Sequence, residues 1–224
     1  MKKKLLIIGD SNCMPRYHKK SKINSGFDET YVNKLKKKLL NYSIEQVIWG
    51  GITTPQLTDY AISYFEKWKP DLIIIHSGVN DVKNQLLSNS FSNILYKFCS
   101  FFKVSKKTYK QNILYNNNLI KYHYTPKVDF KKFSSQIYRI KLFFKKSKII
   151  WIGIHSNKMI NKERANTFEI IHRYNNFLKK EFGKRFIGDE MFIKNKHYTK
   201  DGYHLNIKGQ KILIEKILTI INKK

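Results

Sequence analysis

Four runs of consecutive apolar residues punctuate the chain, and each stops abruptly at small or polar residues. They are LLII at 5–8 before GDS, QVIW at 46–49 before GG, DLIIIH at 71–76 before SG, and KIIWIGI at 148–154 before HS. Apolar runs that do not alternate, bounded by turn residues, are the pattern of strands buried on both faces of a parallel sheet. Between the runs, apolar positions recur at helical spacing. Tyr31, Val32, Leu35 and Leu39 form one such set, residues 56–68 a second, and Phe130, Phe133, Ile137, Ile140 and Phe144 a third that shares one face. Further helices are predicted within 161–183 and over 207–221, and RFIGD at 185–189 reads as a short fifth strand. Alternating strands and helices imply an α/β protein: a three-layer α/β/α sandwich with a central parallel sheet, of flavodoxin-like type. A chain of 224 residues fits a single domain, 1–224.

One segment breaks the alternation. About forty residues separate Asp81 from the helix near Phe130, where a compact α/β unit uses roughly ten or fewer. From Asn84 to Pro126 this insert has no Asp or Glu, six lysines and nine Tyr or Phe. Phe91, Ile94, Leu95, Phe98, Phe101 and Phe102 lie at helical spacing, which predicts either helices packed on the core or a cap overhanging the C-terminal edge of the sheet.

Composition narrows the classes. MKKKLLIIGD begins like a secretory leader, but its apolar run stops after four residues where such a segment needs roughly seven or more. Nothing reaches the roughly 18 apolar residues of a transmembrane segment, so the expected location is the cytoplasm. Cys13 and Cys99 are too few for a disulfide framework and read as small reduced hydrophobes. The charge is unusual: 44 Lys plus Arg against 16 Asp plus Glu, a formal +28. Such an excess attracts polyanions. The lysines are spread along the whole length, however, in a chain also rich in Asn, Ile, Tyr and Phe, which points to a solvated surface ahead of a dedicated nucleic-acid site.

Polar residues gather where the predicted strands end. Ser11 follows the first, and Gly50, Gly51, Thr53 and Thr54 follow the second. Gly78, Asn80 and Asp81 follow the third, and KDGYHLN near the C-terminus supplies Asp201 and His204. In parallel sheets the loops at the C-terminal ends of strands form the ligand site. This inventory suits acyl transfer from an ester. A serine hydroxyl needs a base, imidazole is that base near neutrality, a carboxylate fixes the imidazole tautomer, and backbone N–H groups with a carboxamide hold an oxyanion.

GDS at 9–11, the block-two glycine, G-x-N-D at 78–81 and D-x-x-H at 201–204 resemble the four ordered blocks of the SGNH, or GDSL, hydrolase superfamily. The resemblance spans nearly the whole chain. It implies Ser11 as nucleophile, His204 as base and Asp201 as its orienting partner. It also implies an oxyanion hole made by the backbone N–H of Ser11, that of Gly51 and the side-chain amide of Asn80. Gly51 is preferred to Gly50 because the family's glycine usually stands two residues before a threonine, here Thr53. Two departures stand out: no asparagine precedes that glycine, and Asn12 replaces the leucine of G-D-S-L. Neither removes a catalytic atom.

Rival readings fit less well. The G-x-S-x-G elbow of α/β-hydrolases is absent, since Cys13 occupies its last position. Cys13, two places beyond an exposed serine, is expected to face the core. His18, His76, His123, His155, His172 and His197 lack ligand spacing, so no metal is expected, and no cofactor; His155 lies nearest the functional edge. Asp10 and Asp81 are expected to brace their loops. Three functions remain in view. One is an esterase removing a small acyl group such as acetyl from a carbohydrate or related metabolite, with the lysines favouring an anionic substrate. Another is an O-acyltransferase acetylating a sugar hydroxyl with the same residues. The third is a polyanion-binding module on a hydrolase fold. The oligomeric state is left open.

Overall fold

The computed structural model describes residues 2–15, 26–86, 124–155, 167–192, 194–199 and 204–222. Asp201, Cys99, His18, His123 and the aromatic stripe at 91–102 lie outside the described residues.

Five parallel strands form the central sheet: β1 (Lys3–Gly9), β2 (Tyr42–Ile48), β3 (Leu72–His76), β6 (Lys148–Ile152) and β7 (Phe186–Ile187). Their order is β2-β1-β3-β6-β7. Two three-residue strands, β4 (Asn84–Leu86) and β5 (Tyr124–Pro126), pair antiparallel and bring the ends of the insert together. The helices are α1 (Tyr31–Lys38), α2 (Thr54–Phe65), α3 (Phe130–Phe143), α4 (Thr167–Phe182), a short α5 (Lys194–His197) and α6 (Ile207–Asn222).

The unbroken apolar runs follow from burial on both faces. Leu6, Ile8, Ile73, Ile75, Ile149 and Trp151 pack with α2, α3 and α4. Their chain neighbours Leu5, Ile7, Leu72, Ile74, Ile150 and Ile152 pack with α1 and α6. Successive side chains thus serve opposite layers, so no polar position is permitted between them. This is the α/β/α sandwich the sequence predicts. The sequence direction of pairing reverses between β1 and β3, and the C-terminal ends of strands at such a reversal are where these folds hold ligands.

Element ends differ from the sequence reading for physical reasons. β2 begins at Tyr42, well before the QVIW run, because it is an edge strand whose first half alternates inward and outward. β6 stops at Ile152 because Asn175 takes over the next backbone pairing. Its Oδ1 accepts the Ile154 N–H at 2.8 Å, and its Nδ2 donates to the Ile154 carbonyl at 2.8 Å. α2 starts at Thr54, earlier than position 56, with Pro55 in its first turn where the missing N–H is harmless.

Candidate active site

The elbow after β1 is a short 3₁₀ turn, Ser11–Cys13, capped by Asp10. Asp10 Oδ1 accepts the Asn12 N–H at 2.9 Å and the Asn12 Nδ2 at 3.0 Å, while the Asp10 N–H donates to the His76 carbonyl at 3.1 Å. The turn is thereby fixed to the end of β3. Cys13 faces inward, buried, with Sγ 3.0 Å from the Tyr31 hydroxyl. Burial and the nearby Asp10 charge push its thiol far above the ordinary range, which makes it an unsuitable nucleophile. Ser11 stays partly accessible at the tip of the turn.

Ser11 Oγ lies 2.9 Å from His204 Nε2, across 193 residues of chain. His204 is held from both sides. Its carbonyl accepts the Thr199 N–H at 2.8 Å, and Tyr198 and Leu205 form an antiparallel bridge around it. Two residues on, Asn206 Oδ1 caps α6 by accepting the Lys208 and Gly209 N–H groups, and its Nδ2 donates to the Lys196 and Tyr198 carbonyls. Asp201 lies outside the described residues.

The other two loops are locked together. Asp81, fully buried, accepts the Thr54 N–H at 2.9 Å and the Thr54 hydroxyl at 2.6 Å, so the loop after β3 grips the start of α2. Burial raises its carboxyl to about 7, against the pull of those bonds. Asn80 Nδ2 donates to the Ile52 carbonyl at 3.0 Å, and Lys83 Nζ donates to Asn80 Oδ1 at 2.7 Å. With its oxygen held by an ammonium, the carboxamide cannot flip, and among these bonds one Nδ2 hydrogen stays uncommitted. Gly51, beside Ile52, has φ +80. Gly78 has φ +125, and a Cβ there would lie 2.6 Å from the Ile154 side chain, so both the backbone and the space demand glycine.

Electrostatically the edge is mixed. Burial lifts the Asp10 carboxyl above its usual value, while the Asn12 bonds and the nearby His204 and Lys83 oppose that lift. Beneath the site lies a feature the sequence did not reveal. His76 Nε2 and His155 Nε2 are 2.9 Å apart, both buried, and His155 Nδ1 sits 3.2 Å from the Tyr198 hydroxyl. Burial lowers both imidazoles, His155 to about 4. Two facing nitrogens at that distance share one hydrogen, so the two rings cannot both be charged, and burial favours the neutral form of each. The available sequence signal was positional: each histidine ends or follows one of two strands, β3 and β6, that are neighbours in the sheet. Lys83 was also missed, because nothing in its sequence context separates it from the many surface lysines.

No family model and no curated protein matches this sequence. Solved structures do. An acetylxylan esterase, Axe2, from Geobacillus stearothermophilus is 18% identical, with 99% of this chain and 95% of that one aligned at a TM-score of 0.61. A protein described as a GDSL-like lipase from Parabacteroides merdae is 16% identical, with 98% and 96% coverage and a TM-score of 0.58. A lipase/acylhydrolase from Enterococcus faecalis is 13% identical, with 98% and 95% coverage and a TM-score of 0.59. The chain therefore has the α/β fold of the SGNH, or GDSL, hydrolases. Among the described residues no helix is long and apolar enough to cross a membrane.

Proposed function

We propose that the protein is a serine ester hydrolase that releases a small acyl group, such as acetyl, from a carbohydrate or related metabolite through an acyl-enzyme. The observation that carries this reading is the 2.9 Å contact between Ser11 Oγ and His204 Nε2. A hydroxyl hydrogen-bonded to an imidazole is the arrangement that activates a serine. For Nε2 to accept the serine proton, Nδ1 must carry its own hydrogen and needs an acceptor. Asp201 takes that role by resemblance to the SGNH family.

In the forward step Ser11 Oγ attacks the ester carbon while His204 Nε2 takes its proton. The carbonyl oxygen becomes an oxyanion, stabilised by the N–H groups of Ser11 and Gly51 and the free Nδ2 hydrogen of Asn80. Collapse breaks the bond to the leaving alcohol, which receives the proton from His204. Water then repeats the cycle in reverse: His204 removes its proton, the acyl group leaves as the acid, and the Ser11 hydroxyl is restored. A sugar hydroxyl in place of that water would make the same residues a transferase.

The test is hydrolysis of p-nitrophenyl acetate, with and without sugar acceptors. The wild type is expected to turn over, and Ser11→Ala and His204→Ala each to lose on the order of 10⁴-fold in kcat. Full activity in either variant would exclude the mechanism. Acetylated sugar as the main product would reassign the protein as a transferase.

A further inference from the structure

Beside the block-two turn is a cavity of about 240 Å³ whose wall includes Trp49, Gly51, Gln56, Tyr60 and Lys127. Gly51, whose N–H is a candidate oxyanion donor, is part of that wall. Ile52, also in its wall, is the residue whose carbonyl holds the Asn80 amide. Lys127 donates its backbone N–H to the Lys83 carbonyl at 3.1 Å, on the loop that carries Asn80.

The wall has two characters. Trp49 is 57% exposed and its ring lies 5.7 Å from that of Tyr60, which in turn stacks on Tyr64, four residues on along α2, at 6.1 Å and 12°. Exposed large rings in a contiguous row mark a contact surface, because burying them against a partner is favourable and leaving them wet is not. Apart from Ile52, the rest of the wall comes from Gly50, Gly51, Gln56 and Lys127, which bring peptide groups, a carboxamide and an ammonium. Gln56 Oε1 is engaged by the Thr53 N–H and hydroxyl at 3.0 and 2.8 Å, which leaves its Nε2 as a donor. A fatty acyl chain finds too few apolar walls here, and the volume is below the roughly 300 Å³ at which drug-sized ligand pockets begin. A pyranose ring fits both characters, with an apolar C–H face for the aromatic plane and hydroxyls for the donors and acceptors around it.

We infer that this cavity and the Trp49–Tyr60–Tyr64 row form a saccharide subsite that seats the sugar part of the ester next to the oxyanion hole. The inference rests on the esterase reading and extends it to the residues that select the substrate.

The test separates the two. Trp49→Ala and Tyr60→Ala remove rings that are partly exposed, so the fold is retained. Each variant is assayed on vinyl acetate, whose two-carbon leaving group offers the rings almost no surface, and on chemically O-acetylated xylose and galacturonic acid oligosaccharides. The expected result is a fall of about 10-fold or more in kcat/KM on an oligosaccharide in each variant, with vinyl acetate turnover within about twofold of wild type. Equal loss on both substrates, no loss on either, or no wild-type activity on any of the oligosaccharides would overturn the subsite. Failure of the wild type on p-nitrophenyl acetate would count against the esterase reading instead. In that case the subsite is tested by titrating the Ser11→Ala protein with the same oligosaccharides and following tryptophan fluorescence. Saturable binding lost in Ser11→Ala/Tyr60→Ala, which keeps Trp49 as reporter, supports it, and no binding, or tighter binding of a single-stranded oligonucleotide of equal length, refutes it.

Discussion

Asn80 has little freedom: its oxygen is held by the Lys83 ammonium at 2.7 Å and one of its amide hydrogens by the Ile52 carbonyl at 3.0 Å. The ammonium also polarises the amide, making the remaining N–H a stronger donor to a developing negative charge. Asn80→Ala is therefore expected to lower kcat by roughly 10² to 10³. Lys83→Met should lower kcat by about 10-fold with a smaller change in KM, and Lys83→Arg should recover part of the loss, because the contribution grows in the transition state. Steady-state kinetics of the three variants would check this; a change in KM alone would make Lys83 a substrate-binding residue. Short motifs singled out Ser11 and Asn80, each after a buried strand, and His204, three residues after an acid; the fold brings Ser11 and His204 into contact. Lys83 and the His76–His155 pair were not legible in the sequence. Their partners come from contacts that only the folded chain creates, a loop against a loop and strand ends against each other.

At the scale of elements, the position of His204 depends on how α6 begins. Asn206 caps that helix and ties it to α5 and Tyr198 through four hydrogen bonds. Asn206→Ala is expected to cost about 1–2 kcal/mol in urea unfolding. It should also reduce ester turnover well beyond that of a surface control such as Thr219→Ala, since the imidazole two residues away loses its support. Loss of stability with unchanged kcat would show that the bridge around His204 suffices alone. The buried strands were readable because their central residues form unbroken apolar runs, Leu5–Ile8, Leu72–Ile75 and Ile149–Ile152. The edge half of β2 and the three-residue pair β4–β5 were not, because a half-exposed strand alternates and a pair so short leaves no period to detect. The same reasoning explains why Ile154 belongs to an apolar run and yet lies outside β6: a side-chain amide, Asn175, replaces the neighbouring strand.

For the whole molecule, the polar groups buried under the sheet edge link folding to pH. His155 is lowered to about 4 by burial, so its contribution is complete above its unfolded value near 6.5 and is lost as pH falls through about 4. Between pH 7 and 5 that is a loss of about 2 kcal/mol. Asp81, raised to about 7 by burial, has the opposite sign: its contribution is complete below about 3.8 and is lost as pH rises through about 7. His76, lowered by burial, acts in the same direction as His155, and Asp10, raised by burial, in the same direction as Asp81. His155→Gln removes the His155 contribution alone, and the variant should gain about 2 kcal/mol relative to wild type on going from pH 7 to 5. Parallel pH profiles would show that the imidazole pair does not titrate with folding. The central claim is that an N-terminal hydroxyl and a C-terminal imidazole, joined by the fold, make one reactive site, and labelling with a fluorophosphonate followed by peptide mass spectrometry tests it most directly. A single adduct on Ser11, lost in His204→Ala, is the predicted result; an adduct on another residue, or equal labelling of Ser11 without the imidazole, would contradict it.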